Sequence, residues 1–87
     1  MLRLPKSDFR KQAILQEAAR GFEIGRDYSE EEVNAVLRSI DVEDHTLFRR
    51  EPINFGYLDR DMKGSVYRLR RYVLQDEELE RIKKGLK

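Results

Sequence analysis

The order of apolar and polar positions along the chain predicts three helices, a strand pair and a fourth helix. In the first segment, Ser7 is placed to cap a helix that begins at Asp8. Gly21 is expected to end this helix by taking the left-handed conformation. The apolar positions of the segment recur at helical spacing and form one stripe, which consists of Ile14, Leu15, Ala18, Ala19 and Phe22.

The second helix has the clearest signals. Ser29 and Glu32 have the spacing of a capping box, in which each side chain accepts a hydrogen bond from the other residue's amide. Three consecutive glutamates in the first turn also complement the positive end of the helix dipole. Apolar residues follow at helical spacing, namely Val33, Val36, Leu37 and Ile40. In the connector before this helix, Gly25 permits a turn and residues 26–28 can form a short strand.

A third helix is predicted after a short turn, with Asp44 as its cap. It presents Phe48, Pro52 and Phe55 on one side, and Thr46, Arg49, Arg50 and Ile53 on another. A proline in a helix interior lacks the amide donor and clashes with the preceding turn, at a cost of about 3 kcal/mol. We therefore expect Pro52 to kink this helix or to end it near Glu51, and Gly56 to end the element.

A strand pair is predicted next. Residues 57–60 and 65–70 have the pattern of two strands joined by a turn, in which Gly64 suits a left-handed position. The alternation of the second strand places Tyr67 and Leu69 on one face, and Arg68 and Arg70 on the other. Because a two-stranded hairpin is marginal by itself, we expect it to pack against the helices.

The last helix is predicted over residues 76–86, with Asp76 as its cap. Its apolar stripe is thin and consists of Leu79, Ile82 and Leu86. Two interpretations of this stripe stay open, since a narrow apolar stripe needs a surface to cover it. It either packs on its own domain or forms a homodimer.

Together these elements predict a single domain over residues 1–87 that is mainly α with a small β-hairpin. The order of helices and hairpin is typical of a winged helix-turn-helix, with a core over residues 8–70 and a C-terminal helix over 76–86. A chain of this length buries roughly 60–65% of its unfolded surface, which is enough for one modest core.

Composition removes several classes of function. The chain has no cysteine, so a disulfide framework, a thiolate zinc site and a cysteine nucleophile are excluded. Its apolar runs are too short for a signal sequence or a membrane span, which predicts a cytoplasmic protein. The single histidine, His45, has acidic neighbours but lacks the nitrogen and sulfur ligands that transition metals prefer. We expect no metal, no cofactor and no enzymatic activity.

Charge is distributed unevenly although the net charge is only +1. Residues 30–44 contain six acidic residues and one arginine, whereas residues 49–71 contain seven basic residues and three acidic ones. Such asymmetry bears on the choice of partners rather than on the fold.

The chain resembles the bacterial domain-of-unknown-function family 2087. The resemblance covers roughly Phe9–Arg68 and is carried by YSEEEVNAVL, by DHTLFRR, and by NFGYLDRD followed by GSVY. It departs from the family pattern at Phe48 and Pro52, where leucines are usual, and at Arg68, where an aromatic residue often follows the tyrosine. The resemblance implies a winged-helix module that occurs alone or fused to regulatory domains.

These features predict a small bacterial DNA-binding protein, as a transcription regulator or its DNA-binding module, with double-stranded DNA as partner. The residues expected to contact DNA lie on the third helix and on the hairpin: Thr46, Arg49, Arg50, Arg60, Lys63, Arg68 and Arg70.

Two observations leave alternatives to DNA binding open. The arginines can pair with the acids of the second helix instead of contacting DNA. In addition, three glutamates at the start of that helix would repel the phosphate backbone of a docked duplex. The scaffold would then bind a protein partner without binding DNA.

Overall fold

The computed structural model describes residues 1–85, which form four helices and three short strands. The helices are α1 (Asp8–Ala19), α2 (Glu30–Ser39), α3 (His45–Asn54) and α4 (Asp76–Lys83). The strands are β1 (Asp27–Tyr28), β2 (Leu58–Arg60) and β3 (Tyr67–Leu69). They form one antiparallel sheet in the order β1-β3-β2, so the fold is mixed α/β.

The first three helices begin where their capping residues predict. The Ser7 side chain accepts a hydrogen bond from the amide of Arg10. Ser29 and Glu32 form the complete capping box, with N–O distances of 2.9 and 3.1 Å. Asp44 accepts from the amide of Leu47 at 3.1 Å. These side chains satisfy amide groups that have no partner within the helix, which confirms the three predicted helix starts.

The predicted role of Gly21 at the end of α1 is wrong. The helix ends with Arg20 as its C-cap in the right-handed conformation, and Gly21 does not have a positive φ. A Cβ atom on Gly21 would lie 2.9 Å from Cγ1 of Val36 and 3.3 Å from Cγ2 of Ile40. The glycine is therefore needed because α2 passes close to it.

The predicted end of α3 near Glu51 is also wrong, because the helix continues over His45–Asn54. The proline stands in the last turn, so only two helical residues follow it. Its ring is buried and lines a small internal space together with Leu15 and Tyr57. Burial of the ring offsets part of the cost of the missing amide donor.

The hairpin is present, with shorter strands than predicted, and it gains a third strand. Asp27 and Tyr28 of the connector pair with Arg68 and Tyr67 of β3. Gly64 has a φ of 73° in the turn, as predicted. The sheet places Tyr67 in the core and Arg68 on the exposed face. The third strand removes one free edge of the hairpin, which alone would be marginal.

The core contains one buried hydroxyl with two polar partners. Tyr57 is fully buried, and its hydroxyl donates to Oε1 of Gln12 at 2.8 Å. The same hydroxyl accepts from Nε2 of Gln16 at 3.2 Å. Tyr28 is likewise buried, and its ring meets Phe22 edge to face at 5.1 Å. Paired hydroxyls of this kind allow tyrosines inside a core.

The helix α4 lies against α1 of its own domain. Ile82 is buried and Leu79 is partly buried against the core. The helix ends at Lys83, earlier than the predicted end at Leu86, which itself lies outside the described residues. The N-cap is Gln75 rather than the predicted Asp76, and its amide donates to the Glu78 carboxylate at 3.0 Å. Within residues 1–85, no helix has the length and apolar character needed to span a membrane.

Candidate functional site

A surface groove of about 310 Å³ lies between α3, the start of α2 and the hairpin. Three arginines and one glutamate supply its charged side chains, so positive charge predominates. Four uncharged side chains complete the lining. The residues of this basic groove are Glu30, Thr46, Arg49, Arg50, Ile53, Asn54, Arg60 and Tyr67.

The helix α3 presents its polar side to the groove because its other side is buried. Phe48 and Pro52 are buried on the core side, which turns Thr46 and Arg50 toward solvent. Thr46, Arg49 and Arg50 are three and four positions apart, so they share one face of the helix. The predicted division of α3 into a core side and an outward side is thus confirmed.

Arg49 is held by two residues of α2. Its Nη1 donates to Oδ1 of Asn34 at 2.6 Å, and its Nη2 lies 3.6 Å from Oε1 of Glu30. The side chain of Arg49 is only 21% exposed. Glu30 and Asn34 are one helical turn apart, so both reach the same guanidinium. The expected pairing of an arginine with an acid of the second helix is thus confirmed for Arg49.

Arg50 and Arg60 differ from Arg49 in having uncommitted guanidinium groups. Both side chains are exposed, and neither guanidinium makes a hydrogen bond or an ion pair with any residue between positions 1 and 85. The guanidinium of Arg60 lies over Gly64, with Nε 3.6 Å from the position that a Cβ atom would take there. The groove therefore has two arginines available for a ligand.

Asp61 organises the turn of the hairpin beside the groove. Its Oδ1 accepts from the amides of Ser65 at 2.7 Å and Val66 at 3.2 Å. The amide of Val66 and the other donors at this turn lower the pKa of the Asp61 carboxyl. Lys63, between these residues in the turn, is exposed to solvent. The Asp61 carboxylate is thus committed to shaping the turn.

Arg68 and Arg70 lie outside the groove, on the exposed face of the sheet. The Nε of Arg68 donates to Oδ1 of Asp27 at 2.8 Å, and Arg70 lies 3.4 Å from Asp59. Asp59 is also the cross-strand neighbour of Arg68. The exposed face of the sheet therefore alternates positive and negative side chains, which compensate one another.

The structure thus brings four of the seven predicted residues into one groove and leaves three outside it. Thr46, Arg49, Arg50 and Arg60 line the groove. The guanidinium groups of the groove present planar, forked donors that match the oxygens of phosphate or carboxylate ligands. The arrangement is suited to binding an anion.

Sequence reasoning missed four residues of the groove. Glu30 was recognised only as an acid near a docked backbone, and Ile53, Asn54 and Tyr67 were not assigned to any site. For Glu30 a signal exists, since it shares a helical face with Asn34 and stands one turn before it. For Tyr67, whose body is buried in the core, no sequence signal distinguishes a lining residue from a core residue.

No group of three or more histidine, cysteine, aspartate or glutamate side chains in the described part of the chain is arranged to hold a metal ion.

Comparison with known proteins places the chain in a bacterial family. No curated protein and no solved structure matches it. The model of the family DUF2087, described as an uncharacterized protein conserved in bacteria, matches residues 1–69. That match covers most of the 87 residues and all of the basic groove. The chain therefore belongs to the DUF2087 family.

Proposed function

We propose that the chain is a winged helix-turn-helix that binds double-stranded DNA, as a small transcription regulator or as the DNA-binding module of one. The order of its elements supports this proposal. Five residues separate α2 from α3, and the hairpin of β2 and β3 follows α3. In this arrangement α3 enters the major groove of DNA and the hairpin is the wing.

The observation that carries the proposal is the convergence of α3 and the hairpin on the basic groove. Arg50 from α3 and Arg60 from β2 line the same groove, although they are ten positions apart, and both are uncommitted within residues 1–85. A duplex that lies along α3 meets both of them. Neutralising its phosphates releases counterions, which favours binding at low salt.

The proposal assigns separate roles to the basic residues. Thr46 and Arg50 contact base edges, since they stand on the exposed face of α3. Arg60 and Lys63 contact phosphates and fix the position of the duplex. Arg68 and Arg70 contribute less, because a phosphate has to compete with their aspartate partners.

The experiment is a titration of a labelled mixed-sequence duplex, followed by fluorescence anisotropy at rising salt concentration. Each phosphate contact contributes about 0.9 to the slope of log K against log salt. We expect Arg60→Ala to lower this slope by about 0.9 and to weaken binding for all sequences. Arg20→Ala is the matched control, since Arg20 is an exposed arginine at the end of α1 that does not line the groove.

A selection of bound duplexes from a random pool tests the assignment of Arg50. We expect the wild-type protein to select a motif, and Arg50→Ala to select a relaxed one, because a lost base contact costs about 1–3 kcal/mol of discrimination. Absence of any duplex binding by the wild-type protein at low salt would refute the proposal.

A protein-interaction module is the second candidate, and one observation favours it. The exposed face of the sheet alternates Asp27, Arg68, Asp59 and Arg70, which is a mixed-charge surface rather than a continuous positive one. Mixed-charge surfaces are common in contacts between proteins. This candidate predicts no duplex binding and no selected motif.

A homodimer through α4 finds less support than the other partners. Ile82 is buried and Leu79 is partly buried within the same domain. The apolar residues that would form a dimer interface therefore already pack against the core of their own chain. Sedimentation equilibrium distinguishes the two states directly.

A further inference from the structure

Arg49 is the most enclosed arginine of the basic groove. Its side chain is 21% exposed, whereas Arg50 and Arg60 belong to the exposed residues. The short hydrogen bond to Asn34, at 2.6 Å, orients the guanidinium from one side. A guanidinium has five N–H donors, so Asn34 leaves most of them for other acceptors.

Glu30 is the second acceptor beside Arg49, and its contact is of a different kind. The distance of 3.6 Å is longer than a hydrogen bond, and the Glu30 side chain is 56% exposed. It is the first residue of α2, and within residues 1–85 this ion pair is the sole hydrogen-bonding or ionic contact of its side chain. Exposed pairs of this type are weak and are exchanged easily.

We propose that Arg49 is a second phosphate-binding position of the groove, beside Arg60, which the carboxylate of Glu30 occupies in the free protein and a phosphate of the duplex displaces. The inference rests on the proposed function. A carboxylate and a phosphate offer the same kind of charged acceptor oxygen to a guanidinium. The bond to Asn34 persists in both states and keeps Arg49 oriented.

This exchange makes the groove selective for ligands with several phosphates. A single anion has to remove Glu30 from Arg49 without help from other contacts. A duplex that is already held at Arg50 and Arg60 presents its next phosphate at high local concentration. Glu30 therefore lowers the affinity for weakly charged anions more than the affinity for a duplex.

The test compares Glu30→Gln with Glu31→Gln in the duplex titration. Both changes remove one negative charge from the first turn of α2, but Glu31 does not line the groove. We expect Glu30→Gln to bind duplex about threefold more tightly than Glu31→Gln, an effect of the size that an exposed ion pair has. We expect its salt slope to match that of the wild type, since the phosphate contact with Arg49 forms in both complexes.

Arg49→Met identifies the residue responsible for the gain. In the wild-type background this change should alter duplex affinity less than twofold, since Arg49 exchanges one anionic partner for another. In the Glu30→Gln background it should abolish the gain. Loss of a merely structural ion pair would lower stability without tightening binding, so the gain distinguishes the two roles.

The remaining outcomes overturn the inference. Equal affinities of the Glu30→Gln and Glu31→Gln variants overturn it, and so does a gain that persists after Arg49→Met. Duplex binding by the wild-type protein without a gain on Glu30→Gln leaves the proposed function standing and removes this inference alone. Failure of every variant to bind duplex removes both.

Discussion

Changing Lys11 to methionine tests the ion pair that joins α1 to α3. The Nζ of Lys11 lies 2.8 Å from Oε1 of Glu51 and 3.0 Å from Oδ1 of Asp8. The pair is largely enclosed, since the side chain of Lys11 is 15% exposed and that of Glu51 is 8% exposed. Methionine keeps most of the aliphatic volume of lysine, so the change removes mainly the charge and its hydrogen bonds.

The magnitude follows from the geometry of the pair. At 2.8 Å and an effective dielectric constant of about 20, the attraction is about 6 kcal/mol, and the loss of hydration of both charges offsets much of it. Removing one partner of an enclosed pair costs about 3–5 kcal/mol, because the other charge is left without compensation. Glu51 keeps a hydrogen bond from Nδ2 of Asn54 at 2.8 Å. We therefore expect a loss of about 3 kcal/mol, at the lower end of this range.

Urea unfolding at neutral pH measures this loss, and thermal unfolding should show a Tm lower by roughly 15 °C. Arg10→Met is the matched control, because Arg10 is an exposed neighbour on α1, and it should change stability by at most about 0.5 kcal/mol. The double change with Glu51→Gln should cost less than the sum of the single changes, since the enclosed charge of Glu51 is then removed together with that of Lys11. A Lys11→Met variant as stable as Arg10→Met would refute the reasoning.

The same pair predicts a loss of stability at alkaline pH. The hydrogen bond to the Glu51 carboxylate raises the pKa of Lys11 above its ordinary value of 10.5. The stability that the Lys11–Glu51 pair contributes is therefore fully present at pH values below 10.5, and it is lost as the pH rises through the pKa of Lys11 in the folded protein. Burial also raises the pKa of Tyr57, so the ionisation of Tyr57 adds to the loss of stability at alkaline pH. Lys11→Met should therefore show only the part of this loss that Tyr57 contributes.

Two further changes test other contacts. Gly21→Ala should lower the free energy of unfolding by about 1–2 kcal/mol, because the added Cβ atom would lie 2.9 Å from the side chain of Val36. An unchanged Tm would contradict the close approach of α2. Hydrogen bonds from Arg71 lower the pKa of Glu78, so the stability from this pair is present above the ordinary value of 4.5 and is lost as the pH falls through the folded pKa. Glu78→Gln should therefore cost about 1 kcal/mol at neutral pH, and in acid titrations followed by circular dichroism its difference from the wild type should vanish at low pH.

Local sequence determined where most elements begin. Ser7, Ser29 and Asp44 each accept an amide three positions ahead, so the signal and the structure lie within one helical turn. The face of each element was likewise readable, since helical and strand periodicity sort side chains without reference to distant residues. The exposed Arg68 between the buried Tyr67 and Leu69 is one such case.

The tertiary structure decided the features that local sequence signals predicted wrongly. Pro52 stays within α3 because the core around it accepts its ring, and no neighbour in sequence reveals that environment. Gly21 is required by the approach of Val36, fifteen positions later, and not by a left-handed turn. Burial and close approach are properties of segments that meet only after folding, so a residue's own neighbours do not encode them.

The basic groove shows the same division. Sequence alone placed Thr46, Arg49 and Arg50 on one side of a helix, and it marked the excess of basic residues over 49–71. Only the tertiary structure decided which guanidinium groups remain available. Arg68 is paired with Asp27, which lies 41 positions away, whereas Arg60 faces the groove without such a partner in residues 1–85. An ion pair depends on distances of a few ångströms between remote segments, and charge order along the chain does not specify them.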